Sequence, residues 1–233
     1  MGPMLKRFFL AILLVGPMAD ASVEKGWSAY ERGDYATALR EFHAAAAEEN
    51  DLVAVYTIGL MHANGMGVDQ NLSEAYRWFR RAADMGSAEA TFNLGIMFEY
   101  GDGVARDEEQ AVRLYSSAAL QGHAGARFNL GTMIEQGRGT PVNHEIALEL
   151  FQLAANQGHA KAQVNLAAKY YLGEGVEEDI VTAYAWFTVA ASNGEEKAIL
   201  NRQVIGQDMD ESQLESARTL SETLLEKLQV SEH

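Results

Sequence analysis

The sequence predicts an all-α protein, a right-handed α-solenoid of stacked helix-turn-helix repeats of 36 residues. Two observations predict this fold class. Nearly the same segment occurs twice, FNLGIMFEYGDGV from Phe92 and FNLGTMIEQGRGT from Phe128, and the two copies lie 36 residues apart. Columns of similar residues then recur at the same interval along most of the chain. A stacked array must repeat its packing surface in every unit, so a fixed period indicates a repeat architecture.

The recurring columns consist mainly of small residues. One alanine column contains Ala54, Ala90, Ala126, Ala162 and Ala198. A G-x-G column contains the pairs Gly65/Gly67, Gly101/Gly103, Gly137/Gly139 and Gly173/Gly175. A double-alanine column contains Ala82-Ala83, Ala118-Ala119, Ala154-Ala155 and Ala190-Ala191. Their agreement on a single period excludes an accident of composition.

Each unit is predicted to form two helices joined by a tight turn. The second helix of the first unit shows this in the apolar residues Ala75, Trp78, Phe79, Ala82 and Ala83. They occupy positions i, i+3, i+4, i+7 and i+8, which form one face of an α-helix. The G-x-G pair supplies the backbone freedom that a tight reversal needs. A polar residue precedes every second helix and is expected to cap it; these residues are Asn71, Asp107, Asn143 and Asp179.

The repeated residues resemble those of the Sel-one-like repeat (SLR) family, a relative of the tetratricopeptide repeats (TPR). The resemblance rests on AEATFNLGIMFEYGDGVARDEEQAVRLYSSAALQG in the second unit and AYRWFRRAADMG at the end of the first. It implies four full SLR repeats over residues 51–194, preceded by a TPR-like helix pair over residues 22–50. Residues 195–233 are expected to form capping helices, the last opened by a capping box from Asp210 to Gln213.

The first 21 residues have the anatomy of a secretory signal peptide. Lys6 and Arg7 precede an apolar run over residues 8–15, and Ala19-Asp20-Ala21 supplies a small-x-small cleavage pattern. A retained membrane anchor is the alternative, but the apolar run is far shorter than the roughly 20 residues of a spanning helix. We therefore expect cleavage after Ala21, no stable membrane insertion afterwards, and a periplasmic or secreted bacterial protein.

Composition and charge restrict the possible functions. The formal net charge is −15, which disfavours nucleic acid or an anionic membrane as a partner because both attract Lys and Arg. Cysteine is absent from the sequence, so thiol nucleophiles and zinc knuckles are excluded. Apolar residues make up 48% of the chain, which is ample material for a core.

The sequence contains only fragments of catalytic and metal-binding motifs. Ser22-Val-Glu-Lys25 fits S-x-x-K, but no S-D-N or K-T-G accompanies it. His144-Glu145 begins like a zinc-protease motif, but Leu148 stands where the second histidine is needed. We therefore predict no catalytic residue, no metal site and no cofactor. A cell-wall-active or β-lactam-binding hydrolase remains an alternative, because some relatives of the family have been connected with β-lactam binding.

A column of asparagines is the main candidate for partner binding. Asn93, Asn129 and Asn165 lie on three successive first helices, within otherwise apolar segments. The resemblance to TPR proteins implies that first helices line a concave groove, where asparagine amides bond the backbone of a bound peptide. The alternative is structural, with each amide bonding the neighbouring glycine turn. The less regular positions beside the column are expected to tune specificity; they are Arg127, Glu135, Gln163 and Lys169.

These observations together predict an exported, non-enzymatic scaffold or adaptor. Its partner would be a protein or peptide held on the concave face, in a role such as regulating or assembling an envelope complex. A secreted protein that acts on a host or a neighbouring cell is a further alternative, because the signal peptide is equally consistent with a periplasmic scaffold and with a protein released from the cell.

Overall fold

The computed structural model describes residues 21–48 and 50–230, and the chain divides into two compact units, residues 1–107 and 108–233. All regular structure in the described residues is helical, and twelve helices follow one another. The all-α solenoid prediction is thereby confirmed. The segment assigned to a signal peptide lies, apart from Ala21, outside the described residues.

Five of these helices lie in unit 1 and seven in unit 2. Unit 1 contains α1 (Ala21–Glu31), α2 (Tyr35–Glu48), α3 (Leu52–Asn64), α4 (Leu72–Asp84) and α5 (Ala88–Tyr100). Unit 2 contains α6 (Glu108–Leu120), α7 (Ala124–Gln136), α8 (His144–Ala155), α9 (Ala160–Leu172), α10 (Ile180–Ser192), α11 (Glu196–Ile205) and α12 (Glu211–Val230). Within unit 2 the first helix of a repeat packs on its own second helix, as α7 does on α8, and a second helix packs on the next first helix, as α8 does on α9.

Side-chain caps fix where the helices begin. Three of the predicted caps are confirmed, because Asn71, Asn143 and Asp179 each accept a hydrogen bond of 3.0 Å from a backbone N–H in the first turn of α4, α8 and α10. The capping box at Asp210 and Gln213 is also present, with reciprocal hydrogen bonds of 2.9 and 2.8 Å. Local sequence therefore determines where these four helices begin.

The two glycines of a G-x-G turn serve different purposes. Gly137 ends α7 in the left-handed conformation, with φ +68°. Gly139 also has positive φ, +66°, but its backbone additionally lies against the backbone of Glu108 at the start of α6. A Cβ atom at position 139 would stand 2.5 Å from the Glu108 carbonyl carbon. The second glycine is therefore required by the neighbouring repeat as well as by its own turn.

Small residues in the first helices allow close packing inside each repeat. A Cβ atom at Gly131 of α7 would lie 3.0 Å from the ring of Phe151 on α8. Phe151 itself is completely buried and packs against Phe128, with ring centroids 5.9 Å apart. The absence of a side chain at position 131 therefore allows α7 and α8 to approach closely.

The last helix contributes to the core of unit 2. α12 packs against α10 and adds Leu224, Leu225 and Leu228 to a core that contains Trp186 and Phe187.

None of the helices in the described ranges combines the length and apolar character that a membrane span requires.

Candidate partner-binding site

Asn93 makes a side-chain hydrogen bond within unit 1. Its side chain is buried, and its amide nitrogen donates a hydrogen bond of 3.0 Å to the phenol oxygen of Tyr56 on α3. Burial raises the pKa of Tyr56 to about 12, although the hydrogen bond from Asn93 acts in the opposite direction. Asn93 therefore links α5 to α3, the first helix of the preceding repeat, and its partner is a phenol instead of the glycine turn that the structural alternative named.

Asn129 and Asn165 are in a different situation in unit 2. Both side chains are half-buried, on α7 and α9. Neither amide has a hydrogen-bond partner among the described residues. A half-buried amide with unused donors and acceptors is available to a ligand that approaches this face.

Asn201 on α11 is a further member of the column that sequence reasoning missed. It lies 36 residues after Asn165, so the period that revealed the other members also points to it. Its side chain is exposed and, like those of Asn129 and Asn165, has no hydrogen-bond partner in the described part of the chain. Unit 2 therefore presents three asparagines on the successive first helices α7, α9 and α11.

The neighbours of these asparagines on the same helix faces are exposed and chemically mixed. On α9, Lys161 and Leu172 lie at i−4 and i+7 from Asn165, and Leu172 is 58% exposed. On α11, Lys197 and Val204 lie at i−4 and i+3 from Asn201, and Val204 is 59% exposed. On α9 and α11 the surface therefore combines a lysine at one end of the helix, an amide in the middle and an apolar side chain towards the other end, while α7 contributes Asn129. We call it the asparagine face of unit 2.

Arg127 and Gln163 make equivalent contacts one repeat apart. The Arg127 guanidinium donates to the Ala119 carbonyl at 3.3 Å and to the Gln157 side chain at 2.7 Å. The Gln163 amide donates to the Ala155 carbonyl at 3.2 Å and accepts from Asn193 at 3.0 Å. Each side chain thus ties the second helix of the preceding repeat to the turn after the second helix of its own repeat. Gln163 is completely buried, and a role of this column in partner choice stays a prediction.

Glu135 and Lys169 form an ion pair between α7 and α9, and Lys169 also bonds Glu174 at 2.7 Å. The Lys169 side chain is only 8% exposed and occupies a column that holds Met61, Met97 and Met133 in the other repeats. Burial acts to lower the pKa of Lys169, but its hydrogen bonds to the two carboxylates outweigh burial and raise it. The ion pair therefore joins adjacent repeats, and its place in specificity also stays a prediction.

Replacing Lys169 by Ala is expected to lower the free energy of unfolding of unit 2 by about 2–3 kcal/mol, because Glu135 would keep its charge in a largely buried position without a partner. Urea unfolding of the purified chain measures this cost. The control is Arg218→Ala, which removes an exposed pair with Glu215 and should cost about 0.5 kcal/mol or less. Equal costs in the two variants would contradict a structural role for the Lys169 pair.

The histidines at positions 123 and 159 cap the first helices of two successive repeats. His123 caps α7 and His159 caps α9, each accepting a backbone N–H at its Nδ1 atom. Within the described ranges, no group of three or more His, Asp or Glu side chains is arranged to hold a metal ion. Both histidine side chains are half-buried.

Comparison with known proteins gives a family for this geometry. A family model for the Sel1 repeat matches residues 53–87, 88–123, 124–159 and 160–195. Among curated proteins, none matches the chain significantly.

Solved structures with the same fold include two from this repeat class. One is c5321, a protective antigen of uropathogenic Escherichia coli strains with an SLR fold; it is 31% identical, with a TM-score of 0.79. The match covers 89% of this chain but 45% of c5321, so the chain spans less than half of that relative. A Sel1 repeat protein from Oxalobacter formigenes is 30% identical over 77% of this chain and 74% of its own, with a TM-score of 0.70.

A more distant likeness supports the fold alone. The immunity protein PA5088 from Pseudomonas aeruginosa is 17% identical, with a TM-score of 0.55, over 90% of this chain and 84% of that one. Sel1 repeats generally form scaffolds for protein interaction. With four matched repeats over most of its length and two structural relatives at 30% identity or more, the chain belongs to the Sel1 repeat family.

Proposed function

We propose that the protein is an exported, non-enzymatic scaffold that holds an extended segment of a partner protein against the asparagine face of unit 2. The observation that carries the proposal is the set of unpartnered amides of Asn129, Asn165 and Asn201 on successive first helices. Its role would be to assemble or regulate a complex of the bacterial envelope.

The chemistry of the face suits an extended backbone. An asparagine amide offers both a donor and an acceptor, so it pairs with a peptide group whatever the side chain of that residue. The first helices α7 and α9 are linked through Glu135 and Lys169, so their amides lie on adjacent repeats. An extended segment that crosses the repeats would meet one amide from each first helix. The exposed Leu172 and Val204 would contact its apolar side chains.

Export is supported by the sequence of the first 21 residues, in which Lys6 and Arg7 precede an apolar run and a cleavage pattern ending at Ala21. A second candidate is a secreted protein that acts outside the bacterium on a host. It is favoured by c5321, a relative described as a protective antigen. Culture fractionation with an antibody separates the two, because the scaffold predicts the mature chain in the periplasmic fraction and the second candidate predicts it in the medium.

Replacing Asn129, Asn165 and Asn201 together by Ala is expected to weaken peptide binding at least tenfold. Each lost amide removes hydrogen bonds to the ligand backbone worth about 1 kcal/mol. A random peptide library is selected on residues 22–233, and the affinity of a selected peptide is then measured by calorimetry.

The matched control changes three exposed amides elsewhere in unit 2, Asn156, Gln203 and Gln207, to Ala. It should bind the peptide like the parent, and both variants must keep the parent's helicity. Equal affinity of the parent and of the variant with Ala at positions 129, 165 and 201 would contradict the proposed site.

A further inference from the structure

Four first helices begin with a side-chain cap at the same repeat position, but the capping chemistry differs between the units. In unit 1 the acceptors are the Asp51 carboxylate, at 2.7 Å, and the Ser87 hydroxyl, at 3.0 Å. In unit 2 they are imidazoles: His123 Nδ1 accepts from Ala126 N at 3.0 Å, and His159 Nδ1 accepts from Ala162 N at 3.2 Å. An imidazole nitrogen accepts a hydrogen bond only while it carries no proton.

Burial and nearby basic groups disfavour a positive charge on His159, although a backbone hydrogen bond acts in the opposite direction. The ring is half-buried and stacks on Phe128, with centroids 4.7 Å apart and planes inclined by 27°. Its charged and titratable neighbours are Lys161 on α9 and His123 at the start of α7. Arg127 of α7 is bound to Gln157, two residues before His159 in the chain. Burial above all, and then Lys161, lower the pKa of His159 to about 4.

Protonation of His159 would break the start of α9 in two ways. It occupies the Nδ1 lone pair and so leaves the Ala162 N–H without its acceptor. It also places a cation at a helix N-terminus, where the peptide dipoles already present positive charge. A protonated ring is therefore better accommodated when the first turn of α9 is open and the imidazole is in water.

We propose that the imidazole cap at His159 makes the start of α9 an acid-sensitive element, which opens as the pH falls from neutral while the Ser87-capped start of α5 stays closed. A serine hydroxyl keeps its acceptor lone pairs across this range.

The pH window follows from linkage. The folded pKa of His159, about 4, is below its ordinary value of 6.5. The stabilisation by the neutral ring is therefore complete above pH 6.5 and is lost progressively as the pH falls towards 4. Between pH 7 and pH 5 the opening equilibrium of the first turn of α9 should rise about twentyfold.

Amide exchange of Ala162 and Gln163 in the full chain, corrected for the intrinsic rate at each pH, measures this opening. We expect the twentyfold rise in the parent and less than about a threefold change in His159→Ser, which copies the cap at Ser87. The start of α5 serves as an internal control. Unit 1 contains a histidine of its own, His43, whose pKa is lowered first by burial and then by His62. Any effect of its protonation on unit 1 is measured at the start of α5.

Two further readouts keep the test decisive if His159→Ser folds poorly. His159→Asn supplies another good cap and should also abolish the pH response. A histidine NMR titration of the parent needs no variant. An imidazole of residue 159 that titrates near 6.5, or the same pH response in parent and capped variants, would overturn the proposal.

Discussion

Gly139→Ala is expected to lower the free energy of unfolding by about 3 kcal/mol or more. An alanine there must adopt φ +66°, a left-handed conformation that costs about 1–2 kcal/mol for a residue with a Cβ atom. The new Cβ atom would also stand 2.5 Å from the Glu108 carbonyl carbon and 2.9 Å from the Glu109 nitrogen. Backbone atoms at a helix start cannot move without shifting α6, so overpacking adds about 1–3 kcal/mol.

Gly158→Ala separates the two contributions to this cost. Gly158 also has positive φ, +81°, but no atom lies within 4 Å of a Cβ atom built there. It should therefore cost only the conformational part, about 1 kcal/mol. Urea unfolding of both variants measures the difference, and equal costs would contradict the close contact between the G-x-G turn and the preceding repeat.

Phe151→Ala is expected to destabilise the protein by about 3–5 kcal/mol, since it leaves a cavity in the core of unit 2. The ring is completely buried, lies against Gly131 and packs on Phe128. The glycine cannot fill the space, because it has no side chain to rotate into it.

Leu153→Ala on the same helix is the matched control for Phe151→Ala. Leu153 is exposed on α8, so its truncation should cost about 0.5 kcal/mol or less. Both changes replace an apolar side chain by Ala in one helix and so share similar helix-propensity effects. Comparable melting temperatures for the two variants would contradict a large contribution of the Phe151 ring to the stability of unit 2.

The periodic part of the molecule could be predicted from the sequence because one packing problem is solved in the same way in every repeat. The helix pairs, the caps at Asn71, Asn143 and Asp179, and the close contact at Gly131 all follow from local pattern. The packing of α12 against α10 did not follow, because the chain leaves the period after Asn201 and no G-x-G turn follows α11.

The site was harder to predict because its residues differ between repeats. Asn93 is held by the phenol of Tyr56, 37 positions earlier, whereas the residue 37 positions before Asn165 is Phe128, which has no hydroxyl group to accept a hydrogen bond. The same column therefore contains a structural amide and an available one. Glu135 and Lys169 were predicted as separate specificity residues, and only the structure shows that they meet.

The most direct test of the central proposal is photocrosslinking in living cells with a photoreactive amino acid at Leu172, on the asparagine face of unit 2. The control position is Leu153, which is exposed on α8. The proposal predicts a crosslinked partner at Leu172 that disappears when Asn129, Asn165 and Asn201 are replaced by Ala, and no such product at Leu153. The same partner captured from Leu153 alone, or from Leu172 regardless of the asparagines, would contradict it.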